Sequence, residues 1–196
     1  MLSERDDMRV AVIGASAGGV ETLGEILPHL LGELSVIVVV HLPRDKPSLL
    51  SRVFTPRCSF RVKEAEDKEP VASRTIYIAP PDYHVLIEKN LHLALSIDDP
   101  VHHARPSIDV LFYSAADALG ARATGVILTG ANADGAAGLA AIHAAGGTTI
   151  VQEPAGALVR DMPAAALELC APTHVLPSNA IAALLNKYTT TERDAR

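Results

Sequence analysis

Five β-branched residues in a row, Val36-Ile37-Val38-Val39-Val40, constrain this chain most strongly. A strand that is apolar on both faces has no side to offer to water. It belongs inside a parallel sheet covered by helices above and below. The run is too short to cross a bilayer. Similar short runs recur at Arg9–Ile13, Thr124–Leu128 and Thr148–Gln152. Between them the apolar spacing becomes helical, at Val20, Leu23, Leu27 and Leu30, and again at Ile108, Leu111, Phe112, Ala115 and Leu119. Further helices are predicted at Pro47–Phe54, from Gly135 to Ala145, near Met162–Leu169 and at Ser178–Lys187. Short strands are predicted at Phe60–Val62, Thr75–Ala79 and near Val175. Pro106 suits a first helical position. Tyr83–Glu88 and Leu91–Ser96 flank Lys89-Asn90, which reads as a hairpin. The alternation of strands and helices predicts an α/β fold, with a doubly wound, mainly parallel sheet flanked by helices and an inserted antiparallel hairpin.

With 196 residues the chain reads as a single domain, 1–196, with polar tails at 1–8 and 189–196. Seventeen Lys and Arg against 23 Asp and Glu give a net charge of −6, which disfavours nucleic-acid binding through phosphate neutralisation and a polybasic membrane tether. Cys58 and Cys170 cannot build a disulfide framework, and a reducing cytoplasm is expected. The opening MLSERDDMRV lacks the apolar stretch of a signal peptide, so no direct membrane insertion is expected.

Gly14-Ala15-Ser16-Ala17-Gly18 fits G-x-S-x-G at a strand-to-helix turn. Gly14 and Gly18 permit the sharp bend, and Ser16 is presented at the carboxyl edge of the sheet. The following helix starts there, with free N–H groups that can stabilise an oxyanion. A dinucleotide-binding turn is the competing reading. It needs a glycine where Ser16 stands and an acid at the end of the second strand, where the chain has His41. A histidine at a strand end is often only structural. If the first two strands are neighbours, however, His41 can take the Ser16 proton. Asp134 follows another strand end. It reads either as the cap of the helix beginning at Gly135 or as the carboxylate that orients His41. His84, His92, His102 and His103 show no zinc-ligand spacing, and neither a metal nor a cofactor is expected.

These residues resemble the catalytic domain of the chemotaxis protein-glutamate methylesterase (CheB-type) family. The resemblance rests on Ile13–Gly19, His41-Leu42-Pro43, Val62–Asp67, Ile76–Pro80, Arg105–Phe112, Gly125–Gly130 and Asp134-Gly135-Ala136. It implies a serine hydrolase that demethylates glutamate methyl esters, and deamidates glutamines, on chemoreceptors in chemotaxis-type signal transduction. By position it implies Ser16 as nucleophile, His41 as base and Asp134 as orienting acid. Ala17 is placed as oxyanion donor, with Arg105 and Ala131 at the substrate cleft. The implied partner is the cytoplasmic part of a methyl-accepting chemoreceptor. The family usually follows Leu-Thr-Gly with Met-Gly, where this chain has Ala131-Asn132, and carries Thr where this chain has Ala17. It typically has an N-terminal receiver domain, for which the lead before Arg9 has no room. Control by a separate regulatory protein is then expected. A catalytically weak receptor-binding module of the same fold is the alternative.

Overall fold

In the computed structural model, residues 8–42 and 48–188 are described. Seven strands make one sheet: β1 (Val10–Ala15), β2 (Ser35–Val40), β3 (Arg61–Glu64), β4 (Thr75–Ile78), β7 (Ala123–Ile127), β8 (Thr148–Gln152) and β9 (His174–Leu176). Their order is β3-β4-β2-β1-β7-β8-β9, and every pairing is parallel. The expected hairpin forms a separate antiparallel pair, β5 (His84–Ile87) and β6 (Leu93–Ser96). The helices are α1 (Gly19–Ile26), α2 (Leu50–Phe54), α3 (Ile108–Leu119), α4 (Ala136–Ala144), α5 (Asp161–Leu169) and α6 (Ser178–Lys187). The hairpin is tied to α3 by Ile87 N–H, which donates to Ser114 Oγ at 3.0 Å.

Side-chain alternation divides the core into two layers. Val10, Val12, Ile37 and Val39 pack with residues of α3, α4 and α5, such as Phe112, Leu139 and Met162. Ala11, Ile13, Val36 and Val38 pack on the other face with Leu23 of α1, Phe54 of α2 and Ile181 of α6. Both faces of β2 are therefore covered, as its unbroken apolar run demanded. β1 is central, with β2 on one side and β7 on the other. The chain winds outward in both directions from there, which opens a crevice at the carboxyl ends of these strands.

Three local expectations are corrected. Gly14 lies inside β1, paired with Val39 and Ile127, and the bend falls after Ala15. The helical spacing from Val20 to Leu30 is broken at Ile26, and a 3₁₀ turn, Leu27–His29, follows. Pro28 has no N–H with which to continue an α-helix. Finally, α3 begins at Ile108, not at Pro106. Ser107 is its cap, in extended backbone, with its hydroxyl accepting from Val110 N–H at 3.5 Å. A serine hydroxyl can satisfy an otherwise unpaired N–H of the first turn, and proline cannot. The expected tails, apart from Met8, and Pro47 of the expected second helix lie outside the described residues.

Candidate active site

Ser16 sits at the start of a tight turn between β1 and α1. Its carbonyl accepts from Gly19 N–H at 2.8 Å, and Gly18 has φ 78° and ψ 2°. These are the features of a type II turn, whose third position favours glycine because a Cβ there is strained. Ser16 N–H donates to Thr129 O at 2.9 Å, anchoring the turn to the chain beyond β7. Neither Ala17 N–H nor Gly18 N–H donates to another described residue.

His41 enters the site because β1 and β2 pair in parallel register up to Ala15 and Val40. His41 N–H continues the ladder to Ala15 O at 3.2 Å, which brings His41 beside Ser16. The imidazole donates from Nε2 to Asp134 Oδ2 at 2.8 Å. An ionised carboxylate only accepts, so this bond puts the ring proton on Nε2 and leaves the Nδ1 lone pair available as a base.

Asp134 is fully buried. Its Oδ2 also accepts from Ile108 N–H at 2.7 Å, and its Oδ1 accepts from Ser107 Oγ at 2.8 Å and Asp109 N–H at 3.0 Å. Burial pushes this carboxyl up, but the bonds from His41, Asp109, Ile108 and Ser107 outweigh it and hold the group below the ordinary carboxylate value. The expected local cap is corrected here. The helix after Asp134 is capped by Gly135, and Asp134 instead receives the first amides of α3, a helix that begins 26 residues earlier. The approach is set by Ile108, which packs where a Cβ on Gly14 or Gly135 would stand.

Ser16 and His41 line one cleft of about 300 Å³, together with His102, His103, Arg105 and Asn132. Residues 11–185 match the CheB methylesterase family. The chain belongs to that family. It is 42% identical over 175 residues to a putative protein-glutamate methylesterase/protein-glutamine glutaminase of Leptospira interrogans, covering 88% of this chain and 91% of that one. It is 39% identical over 173 residues to the protein-glutamate methylesterase/protein-glutamine glutaminase of Nitrosomonas europaea, covering 86% of this chain and 48% of that one. The crystal structure of the Thermotoga maritima CheB methylesterase catalytic domain superposes with a TM-score of 0.88 at 31% identity, covering 92% of this chain and 98% of that one.

The CheB-family departure at Asn132 falls against the general-base candidate. Asn132 Nδ2 lies 3.5 Å from His41 Nδ1, and its Oδ1 accepts from Asp134 N–H at 3.1 Å. Ser16 Oγ makes no hydrogen bond to a described residue. Asn132 lines the cleft, while Ala131 is exposed beside it. Arg105 also lines the cleft, yet its guanidinium is occupied. Nε and Nη2 donate to Asp82 Oδ1 at 3.0 and 2.8 Å, and Nη1 donates to Ile97 O at 2.7 Å and Asp98 O at 3.1 Å. This arginine braces the loop that walls the cleft.

Sequence reasoning assigned no role to Ser107, His84 or Thr129. Ser107 carries a readable signal, a serine just ahead of the apolar helical pattern. His84 does not. It is buried, accepts from Ser107 N–H at Nδ1 (3.1 Å) and contacts Asp99 O through Nε2 at 3.2 Å. Behind Asp134 lies Asp109, raised above its ordinary value because burial and the Asp134 charge outweigh the Gly138 N–H and His102. Its carboxylate meets His102 Nε2 at 3.2 Å. His102, Asp109 and Asp134 are the one trio among the described residues whose ligand atoms lie within 4.8 Å of one another. Both Asp134 oxygens already hold two donors each, and Asp109 Oδ1 accepts from Gly138 N–H at 2.7 Å. The trio is a hydrogen-bonded support, and a cation there would have to break it.

Proposed function

We propose that this chain is a serine hydrolase that demethylates glutamate methyl esters, and deamidates glutamines, on the cytoplasmic part of a chemoreceptor. The observation that carries the reading is the 2.8 Å bond between His41 Nε2 and Asp134 Oδ2 in the cleft that Ser16 also lines. His41 Nδ1 takes the Ser16 proton as Oγ attacks the side-chain carbonyl carbon. The carbonyl oxygen becomes an oxyanion held by the Ala17 N–H at the turn. Collapse of this adduct breaks the bond to the methoxy oxygen, which leaves as methanol with the proton from His41. Water, deprotonated by His41, then attacks the acyl-enzyme and releases glutamate and Ser16. With a glutamine substrate the same steps release ammonia. Asp134 stays ionised throughout and stabilises the imidazolium between the two transfers. The names of the Leptospira and Nitrosomonas relatives support both activities. Among the described residues no helix is long and apolar enough to cross a membrane, which fits an enzyme that meets the receptor on its water-exposed part.

Methanol release from a methylated receptor fragment tests the reading. Activity is expected from the wild-type chain and background release from Ser16→Ala. Equal release from the two proteins would overturn it.

A further inference from the structure

We infer that Thr129 is a positioning residue whose hydroxyl fixes the nucleophile turn so that Ala17 N–H stays open as an oxyanion donor. This rests on the serine-hydrolase reading of the same site.

Thr129 follows β7 and is fully buried. A buried hydroxyl is costly unless it is hydrogen-bonded, and a valine of the same shape would fill this place without that cost. The hydroxyl is fully used. It accepts from Val159 N–H at 2.9 Å, and its single proton lies against Ala17 O at 2.9 Å and, slightly farther, Val159 O at 3.1 Å. The backbone of Thr129 is held as well. Its N–H donates to Oε1 of the buried Gln152 at 2.8 Å, and Gln152 Nε2 donates to Gly156 O at 3.4 Å.

Three consecutive peptide planes make up the nucleophile turn; the first is anchored twice, since His41 N–H also donates to Ala15 O at 3.2 Å, and the other two once. The Ala15–Ser16 plane is held by Ser16 N–H donating to Thr129 O at 2.9 Å. The Ser16–Ala17 plane is held by Ser16 O accepting from Gly19 N–H at 2.8 Å. The Ala17–Gly18 plane is held by Ala17 O accepting from Thr129 Oγ1 at 2.9 Å. Thr129 thus supplies two anchors of four. A trans peptide points its C=O and N–H in opposite directions. Holding Ser16 O therefore orients the Ala17 N–H of the same plane, and holding Ala17 O fixes the next plane, which shares the Ala17 Cα, so the Ala17 N–H is steadied from both sides. That N–H meets no described acceptor, so it is free to meet a developing negative charge. Without the Thr129 hydroxyl the Ala17–Gly18 plane loses its anchor, and the donor gains freedom where transition-state stabilisation needs rigidity.

A fluorophosphonate tests this on the whole chain. Ser16 Oγ bonds to phosphorus, fluoride leaves, the Ser16 proton passes to His41, and the phosphoryl oxygen takes the oxyanion's place. We expect Thr129→Val to lower the limiting labelling rate at least tenfold, and no more than the ~10³ that a whole oxyanion donor supplies. The half-saturating reagent concentration and the final extent of labelling should stay as in wild type. Thr129→Ser restores the hydroxyl and should return the rate to within about threefold of wild type. Where the valine variant does not fold, Thr129→Ala reads the same rate. Wild-type rates in Thr129→Val, equal losses in the serine and valine variants, or a reduced labelled fraction reacting at the normal rate would each overturn the inference. A wild-type chain that is not labelled at Ser16 overturns the serine-hydrolase reading itself, and the inference with it.

Discussion

Asp134→Asn separates two roles that the same carboxylate combines. The wild-type group accepts four hydrogen bonds, two on each oxygen. An amide has one accepting oxygen and one NH₂. If the oxygen faces His41 and Ile108, the NH₂ faces Ser107 and Asp109. The Ser107 hydroxyl can rotate to accept, and Asp109 N–H is left unpaired. If the amide is reversed, Ile108 N–H is unpaired and His41 Nε2 becomes an acceptor. The His41 ring proton then moves to Nδ1, and the base of the proposed mechanism is gone. Each arrangement strands one buried backbone N–H, at a cost of about 1–3 kcal/mol. A domain of this size has about 5–15 kcal/mol in hand, so the variant should fold. The catalytic loss should be larger. An orienting aspartate changed to its amide in a Ser-His-Asp relay costs about 10⁴ in kcat, or about 5 kcal/mol. Methanol release should fall by that factor, with KM little changed, in a protein whose thermal transition is lower but cooperative. A folded Asp134→Asn variant that turns over within tenfold of wild type refutes the argument, because Asp134 would then not be the partner of the imidazolium.

The 3.5 Å contact from Asn132 Nδ2 falls on His41 Nδ1, the atom that takes the Ser16 proton in the proposed mechanism. A hydrogen bond this long is worth about 0.5–1 kcal/mol, so Asn132→Ala should raise kcat/KM for methanol release about two- to fivefold, and a clear fall would refute it. Acid stability should carry two opposite signatures. Asp134 is held below the ordinary value of 3.8, so its stabilisation is present above that value and is lost as pH drops through its lower folded value. Asp109 is raised, so its folded form gains a proton first, and stability attributable to it rises as pH falls through its folded value. Denaturant unfolding across the acid range should show Asp109→Asn without that gain. A profile identical to wild type would dismiss the raised carboxyl.

The sheet was legible because its signals are local. Ser35–Val40 and Ser178–Lys187 appear where the residue pattern put them, since both read from periodicity within one segment. Ser16 and His41 could be placed on one edge for the same reason: each follows a strand, and neighbouring parallel strands end together. Asp134 was half legible. Its position after β7 marked it as a cap or an orienting acid, but the helix it serves is distant in sequence, and no local rule couples them. Arg105 reads as a cleft charge until Asp82 and the Ile97 and Asp98 carbonyls appear around it. Gly14 reads as a bend, whereas its lack of a side chain admits Ile108. These failures share a cause, since each depends on which distant segment arrives.

The start of α3 explains how a core contact reaches the chemistry. A helix N-terminus carries unpaired N–H groups and a positive dipole end, and so favours an anion. Here that anion is the Asp134 side chain, which also holds His41 Nε2, and its charge is held by Ile108 N–H, Asp109 N–H and the Ser107 hydroxyl. Stabilising the ionised form makes Asp134 a poor proton acceptor, so in the proposed mechanism the proton from Ser16 would stay on His41, where the departing methoxide could collect it. Ile108 sets this arrangement by packing against Gly14 of β1 and against Gly135, the residue after Asp134. The same β1 delivers Ser16 two residues beyond Gly14. Packing by Ile108 therefore fixes the distance between the elements that carry Ser16 and Asp134, and the polar site inherits its geometry from the core beneath it.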